Sequence, residues 1–112
     1  MIRASVVYIT ASNREQALAI GRTLVTERLV ACANILDGMT SIYRWDGQLN
    51  EDPETVLIAK TRQELAERVV GRVRELHSYE CPCVVCWPIT AVNPEYLAWI
   101  GRETDIKRDV IV

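Results

Sequence analysis

The dipeptide Asp46-Gly47 constrains the fold of this 112-residue chain more than any other feature. It is a strong hairpin signal, because both central positions of a type I′ turn need a positive φ. The flanking segments are rich in apolar and β-forming residues, so we expect hairpin arms over about 31–45 and 48–60. An arm of about 14 residues at about 3.3 Å each would reach about 46 Å. A compact chain of this length has a diameter of only about 34 Å.

This predicted hairpin is too long for a chain of this size, and two outcomes are open. In one, it projects beyond its own domain, and another copy of the chain covers its apolar tip and open strand edges. Four apolar residues lie near that tip: Ile42, Tyr43, Trp45 and Leu49. In the other, it breaks at Gly38 and Pro53 and folds back, since Pro53 cannot donate to a strand ladder and must lie at an edge or a bulge. We favour the first outcome and predict an oligomer.

A strand and a helix are predicted before the hairpin. Residues 5–10 form a short apolar run that is typical of a buried strand. A helix follows over about 13–28, and Ser12 with Glu15 forms a capping box at its start. Apolar residues recur in this segment at helical spacing, so one face of the helix is expected to be buried.

A second helix and another strand are predicted after the hairpin. Thr61 and Glu64 form another capping box, which precedes an amphipathic segment. Its apolar stripe consists of Leu65, Val69, Val73 and Leu76. Residues 84–89 form a further apolar strand.

The chain closes with a short helix and an apolar tail. Asn93 caps this helix and Pro94 occupies its first position, where the missing N–H costs little. Residues 105–112 could form a final strand or an arm that lies on a neighbouring copy. The order β-α-β-β-α-β, with the extra helix and tail, predicts an α+β, ferredoxin-like fold: an antiparallel sheet with helices on one face. We expect a single domain over 1–112.

The composition excludes several classes of protein. Thirteen Lys plus Arg against fifteen Asp plus Glu gives a net charge of −2, so we expect no nucleic-acid partner. No apolar run reaches the roughly 18–20 residues that span a bilayer, and no secretory leader is visible, so we expect no membrane association. A cytoplasmic location with reduced thiols is the resulting expectation.

His77 and three cysteines lie within ten residues and are candidate metal ligands. In a strand, Cys83 and Cys86 point to opposite faces, whereas Cys81 and Cys83 can share one. We predict that His77, Cys81 and Cys83 form a metal site, for copper or another divalent cation, that is not required for folding. Two alternatives stay open: the helix dipole favours a His77 cation at a helix end, and Cys83 or Cys86 can fill core space.

The sequence lacks the common catalytic motifs, so we expect no enzyme activity. It contains no G-x-S-x-G elbow, phosphate-binding glycine loop or H-E-x-x-H pair. An acylphosphatase-like reaction would need an arginine and a phosphate-binding backbone after the first strand. Residues 10–14 supply Arg14 but no glycine-rich cradle.

Five blocks of the sequence together resemble the CutA family of divalent-cation-tolerance proteins. The blocks are 31–35, 41–47, 59–61, 77–82 and 96–99, and they include S-x-Y-x-W-x-G and H-x-Y. The resemblance implies a tight homotrimer in which the long hairpins, about 42–49, and the C-terminal tail pair between subunits. Such a trimer is similar in architecture to the PII signalling proteins. The resemblance also implies a role in tolerance to metals such as copper, without catalysis.

The family's metal ligands carry over to this chain only in part. The family histidine corresponds to His77, but Ser78 stands where a proline is usual, and Ile9 where some members carry a cysteine. Cys83 stands where a glutamate is usual, so it could replace that carboxylate and make the site softer, or the site is absent. The leading hypothesis is a trimeric metal-binding tolerance protein, and the alternative is a PII-like small-molecule sensor with sites between subunits.

Overall fold

A computed structural model describes residues 2–104 of the chain. The elements in chain order are β1 (Ala4–Ala11), α1 (Arg14–Thr26), β2 (Cys32–Trp45), β3 (Gln48–Arg62), a 3-10 turn (Gln63–Leu65), α2 (Ala66–Leu76), β4 (Val84–Pro88) and α3 (Pro94–Glu103). The strands form one four-stranded antiparallel sheet in the order β2-β3-β1-β4. The predicted α+β class and antiparallel sheet are therefore confirmed. The predicted tail, 105–112, lies outside the described residues.

Helices α1 and α2 pack on the same face of the sheet and form the main core with it. The strand residues of this core are Val7, Ile9, Leu57 and Ala59, and the helices contribute Ile20, Leu24, Val69 and Val73. All of these side chains are buried. Complete burial of one such side chain stabilises the fold by about 1.5–3 kcal/mol, so this cluster is the main source of stability.

Helix α3 lies on the opposite face, over one end of the sheet. Arg62 stands three residues from the core residue Ala59 on β3, so strand alternation turns it to this other face. There Arg62 donates to the carbonyl oxygen of Gly101 in α3. The Tyr96 hydroxyl of α3 lies 3.5 Å from the sulfur of Cys32. Helix α3 covers only this end of the face.

The hairpin of β2 and β3 is long and continuous. This agrees with the prediction of a hairpin that projects beyond its own domain, rather than one that breaks and folds back. Asp46 and Gly47 adopt φ values of 50° and 75°, which confirms the predicted turn. Gly38, with φ of 86°, lies in a register shift between Leu36 and Met39, so the expected irregularity is a β-bulge. Pro53 pairs with β2 beyond the end of β1, where the described part of the chain places no strand on the other side of β3. The molecule is 49 Å long, and its radius of gyration of 15.0 Å exceeds the value of a compact chain.

Both predicted capping boxes are wrong. Asn13, not Ser12, caps α1: its side chain accepts a hydrogen bond of 2.8 Å from the Gln16 backbone N–H. The Ser12 backbone N–H donates to the Gln16 side chain at 3.0 Å. Thr61 belongs to β3, and its buried hydroxyl donates to the Leu29 carbonyl oxygen at 2.6 Å. Strand β3 continues to Arg62, past the boundary that was expected at about residue 60. Thr61 is therefore a strand residue and not a helix cap.

The last helix begins where it was predicted, although its cap differs in detail. Asn93 occupies the N-cap position and Pro94 the first turn, but the Asn93 side chain makes no capping hydrogen bond. Its amide instead lies 3.5 Å from the Glu95 carboxylate. Within residues 2–104, no helix combines the length and the apolar character needed to cross a membrane.

Candidate functional site

A cleft of about 640 Å³ lies on the sheet face opposite α1 and α2, beside the outer half of the hairpin. Tyr8 and Thr10 of β1 line it, and they alternate along that strand with the core residues Val7 and Ile9. The hairpin contributes Ser41, Ile42, Tyr43, Trp45 and Glu54, and the loop between α2 and β4 contributes Tyr79, Glu80, Cys81 and Cys83. Three segments that are distant in the sequence therefore meet here.

Tyr79 connects the loop to the hairpin. Its hydroxyl donates to Oε2 of Glu54 at 2.8 Å. Its ring lies against the imidazole of His77, with centroids 4.6 Å apart. Burial, and then the hydrogen bond and charge of Glu54, raise the pKa of Tyr79 to about 12. The phenol therefore keeps its proton and remains a hydrogen-bond donor to the carboxylate.

His77 is turned towards β1 and does not line the cleft. It is the C-cap residue of α2 and is 8% exposed. The Tyr79 backbone N–H donates to Nδ1 at 3.1 Å, so Nδ1 is the unprotonated nitrogen. Nε2 lies 2.7 Å from the Thr10 carbonyl oxygen and must carry the proton that it donates. Both ring nitrogens are therefore engaged by backbone groups that fix the loop to the sheet.

Cys81 and Cys83 both line the cleft, although both precede β4, so strand alternation is not what places them there. Cys81 is exposed and Cys83 is partly buried. Burial raises the pKa of the Cys83 thiol most, a hydrogen bond from Thr10 lowers it, and the charges of Glu54 and Cys81 raise it. Within residues 2–104, no group of three or more His, Cys, Asp or Glu side chains is arranged to hold a metal ion. The site of His77, Cys81 and Cys83 therefore stays a prediction.

The other cysteines have packing roles. Cys86 pairs with Val7 across β1 and β4 and packs against the main core, on the face opposite the cleft. The expectation that Cys83 and Cys86 point apart is thus confirmed. Cys32 is half-buried beside Tyr96. Burial raises the pKa of the Cys86 thiol, which favours its neutral, apolar form.

The cleft carries negative charge. Glu54 and Glu80 line it, and Asp52 accepts a hydrogen bond of 2.7 Å from the hydroxyl of Tyr43 at its border. That hydrogen bond is the main reason why the pKa of Tyr43 is raised, and burial adds to it. Among the lining residues that the structure describes, none is basic. The surface therefore favours cations over anions.

Sequence reasoning missed the residues that give the cleft its shape. Tyr43 and Tyr79 lie in the S-x-Y-x-W-x-G and H-x-Y blocks, and their place in these blocks is a signal that could have marked them. Glu54 lies in a polar stretch of β3 with no such signal. Only the register of the hairpin and the fold of the loop bring it to the Tyr79 hydroxyl.

Comparison with known proteins gives one consistent family. The model of the family described as CutA1 divalent ion tolerance protein matches residues 5–103. The divalent-cation tolerance protein CutA of Thermus thermophilus is 46% identical over 99 residues, which are 88% of this chain and 96% of that protein. A solved structure of the divalent cation tolerance protein from Thermus thermophilus has a TM-score of 0.87 and 44% identity, and covers 90% of this chain and 98% of that one.

A plant relative matches over the same part of the chain. The chloroplastic protein CutA of Arabidopsis thaliana is 41% identical over 99 residues, or 88% of this chain. The chain spans only 54% of the length of that relative. The extent of the family match and the level of identity lead to one conclusion: this chain belongs to the CutA1 divalent ion tolerance protein family.

Proposed function

We propose that this chain takes part in divalent-cation tolerance in the cytoplasm by binding a soft metal ion without catalysis. Copper is the primary candidate for that ion. The observation that supports this most directly is the pair of thiols, Cys81 and Cys83, in one acidic cleft. Thiolates select soft ions such as monovalent copper, and a reducing compartment keeps the thiols free. The names of the relatives describe tolerance to divalent cations and no reaction.

Metal binding at this cleft would begin with the two thiols. Cys81 is exposed and can reach an incoming ion, and Cys83 would release a proton on binding, since ligands must be deprotonated. Glu80 lies on the same loop and could supply an oxygen ligand. His77 would join only after its ring releases the Thr10 carbonyl oxygen or the Tyr79 backbone N–H.

We further propose that the chain is a ferredoxin-like subunit of a homotrimer. Among residues 2–104, β2 and β4 are the edge strands at opposite sides of the sheet, which suits head-to-tail contacts that close into a ring. Exposed apolar side chains lie along both: Ile42 and Leu49 on the hairpin, and Val85 and Trp87 on β4. The number of subunits, three, is taken from the family resemblance. Native mass spectrometry should give three times the chain mass, and a purely monomeric mass would contradict the proposal.

Titration with monovalent copper tests the metal site. The reduced protein is titrated without oxygen, in competition with a chromophoric chelator. We expect the Cys81→Ser/Cys83→Ser variant to bind copper at least about tenfold more weakly, because replacement removes both soft ligands. Cys32→Ser is the matched control, since that thiol lies beside α3, and its affinity should equal that of the unmodified protein.

The copper affinities of the variants show which side chains are metal ligands. Equal copper affinity in the double variant and the unmodified protein would remove Cys81 and Cys83 from the site. A His77→Ala variant with unchanged affinity would limit the site to the loop, whereas a loss would make His77 the third ligand. Circular dichroism of this variant checks that the loop still folds after the His77 contacts to Thr10 and Tyr79 are lost.

A small-molecule sensor is a second candidate function, and the size of the cleft favours it. Its volume of about 640 Å³ lies in the range of about 300–1,000 Å³ that is usual for ligand pockets. In a trimer, the hairpin residues of this cleft would lie close to a neighbouring subunit, as in a PII-like arrangement. Thermal-shift measurements with nucleotides, small anions and small cations test this function, because a specific ligand raises the melting temperature.

A further inference from the structure

Cys81 and Cys83 are neighbours in the sequence, and both line the cleft. Only Pro82 separates them. Two residues span at most about 7 Å between Cα atoms, and a disulfide needs a separation of about 4.4–6.8 Å. Strand β4 begins at Val84, so the strand ladder does not hold the segment from Cys81 to Cys83 fully extended. A disulfide between these two thiols is therefore within reach of the backbone.

The two thiols differ in their surroundings. Cys81 is exposed, whereas Cys83 is partly buried. The Thr10 backbone N–H donates to the Cys83 carbonyl oxygen at 3.4 Å, which fixes Cys83 against β1. A Cys81 thiolate is near enough for its charge to raise the pKa of the Cys83 thiol. An accessible thiol beside a second thiol is typical of cysteine redox sensors, in which the second thiol resolves the first oxidation product.

The other two cysteines lie elsewhere in the fold. Cys86 packs against the main core, on the sheet face opposite the cleft. Cys32 lies beside Tyr96 of α3. An oxidant that reaches Cys81 therefore finds Cys83 as the neighbouring thiol, and this chemistry requires one accessible sulfur on the loop and no opening of the hairpin.

We propose that Cys81 and Cys83 are also a redox pair, which a hydroperoxide oxidises to an intrachain disulfide. The Cys81 sulfur attacks the hydroperoxide and the O–O bond breaks, so the thiol becomes a sulfenic acid and the hydroperoxide leaves as an alcohol or water. The Cys83 sulfur then attacks the Cys81 sulfur, the S–O bond breaks, and hydroxide leaves as water with the proton from Cys83. The two thiols lose two electrons in total, and the hydroperoxide gains them.

The disulfide would regulate the proposed copper site. Thiolates are the ligands of soft ions, and the disulfide contains none. This consequence rests on the proposed copper binding, whereas formation of the disulfide does not. Exposed disulfides are among the labile ones, so a reducing compartment returns the pair to thiols once the oxidant is consumed.

Mass spectrometry tests the disulfide after the native full chain is treated with about 1 mM hydrogen peroxide. We expect the chain to lose about 2 Da, the mass of two hydrogen atoms, and dithiothreitol to restore it. Cys83→Ser should instead gain about 16 Da, because its oxidation stops at the sulfenic acid. Cys81→Ser should keep its mass. Cys32→Ser is the matched control and should lose about 2 Da, like the unmodified protein.

Three results would overturn the redox pair. The first is an unchanged mass of the peroxide-treated unmodified protein. The second is a loss of about 2 Da that persists in Cys81→Ser, because another pair of thiols would then be oxidised. The third is a product of twice the chain mass, which would place the disulfide between chains.

Copper titration of the oxidised chain, in competition with the same chelator, tests the regulation. We expect copper to bind at least about tenfold more weakly than to the reduced chain, and equal affinities would overturn the regulation. If the reduced chain binds copper and no disulfide forms, the redox pair is wrong and the proposed function stands. If the disulfide forms and the reduced chain binds no copper, the proposed function is wrong and the redox pair stands.

Discussion

The two faces of the sheet are built from the same strands, yet one is a sealed core and the other carries an open cleft. On β1, Val7 and Ile9 are fully buried beneath the helices, whereas Tyr8 between them lines the cleft. On β3, Leu57 belongs to the core, and Glu54 faces the other way. The core therefore fixes the register that places the cleft residues. A shift of one residue in any of these strands would exchange the two sets of side chains.

The largest expected difference between the faces is in packing. Leu57→Ala should lower the free energy of unfolding by about 3 kcal/mol, because it leaves a cavity in a fully buried site. Ile58 is the neighbouring residue on the other face and is only partly buried. Ile58→Ala should therefore lower the free energy of unfolding by at least about 1 kcal/mol less than Leu57→Ala does. Urea denaturation at one protein concentration measures both. Equal losses would mean that the cleft face is packed as tightly as the core, for example by another copy of the chain.

A pair of threonines compares polar groups on the two faces. Thr61→Val on the core face removes the hydroxyl that donates to the buried Leu29 carbonyl oxygen, and should cost about 1–2 kcal/mol. Thr10→Val on the cleft face removes a group that lowers the pKa of the Cys83 thiol, and because sulfur is a weak acceptor this change should lower the free energy of unfolding by less. Thermal unfolding of both variants tests the order. A larger loss for Thr10 would show that the cleft face carries more of the stability than its exposure suggests.

Tyr79→Phe gives the smallest expected change, confined to the cleft face. Loss of the hydrogen bond to Glu54 should lower the free energy of unfolding by about 1 kcal/mol at neutral pH. Because folding raises the pKa of Tyr79 from 10.0 to about 12, the unfolded chain loses this proton first. The stabilisation is therefore complete below about pH 10 and declines as the pH rises towards about 12.

Urea denaturation between about pH 8 and pH 11 measures this decline. The difference in stability between the unmodified protein and Tyr79→Phe should narrow as the pH rises. A difference that stays constant over this range would mean that the phenol ionises equally in the folded and the unfolded chain.

The elements of the fold could be predicted where local chemistry determines them. Asp46-Gly47 determines its turn because few residues tolerate a positive φ, and Gly38 marks the bulge for the same reason. The helix starts were less certain. Ser12 and Asn13 are adjacent, and both residue types can cap a helix. Thr61 is also a residue type that caps helices, but its hydroxyl donates to the distant Leu29 carbonyl oxygen instead.

The candidate site could be predicted only in part. Cys81 and Cys83 both line the cleft, but they precede β4, so the strand geometry from which a common face was expected does not apply to them. The orientation of His77 depends on the Thr10 carbonyl oxygen, 67 positions away in the chain, and no local pattern contains that information. The pairing of Tyr79 with Glu54 likewise needs the completed sheet.

The bulge at Gly38 has a consequence for the chemistry of the cleft. Before it, the odd-numbered β2 residues Ala33 and Ile35 pack against the helices. After it, the odd-numbered residues Tyr43 and Trp45 line the opposite face, so the extra residue reverses the parity of the strand once. Without that reversal, Arg44 would point into the cleft in place of the two rings. One inserted residue thus decides whether the hairpin presents two aromatic rings or an arginine side chain beside Glu54.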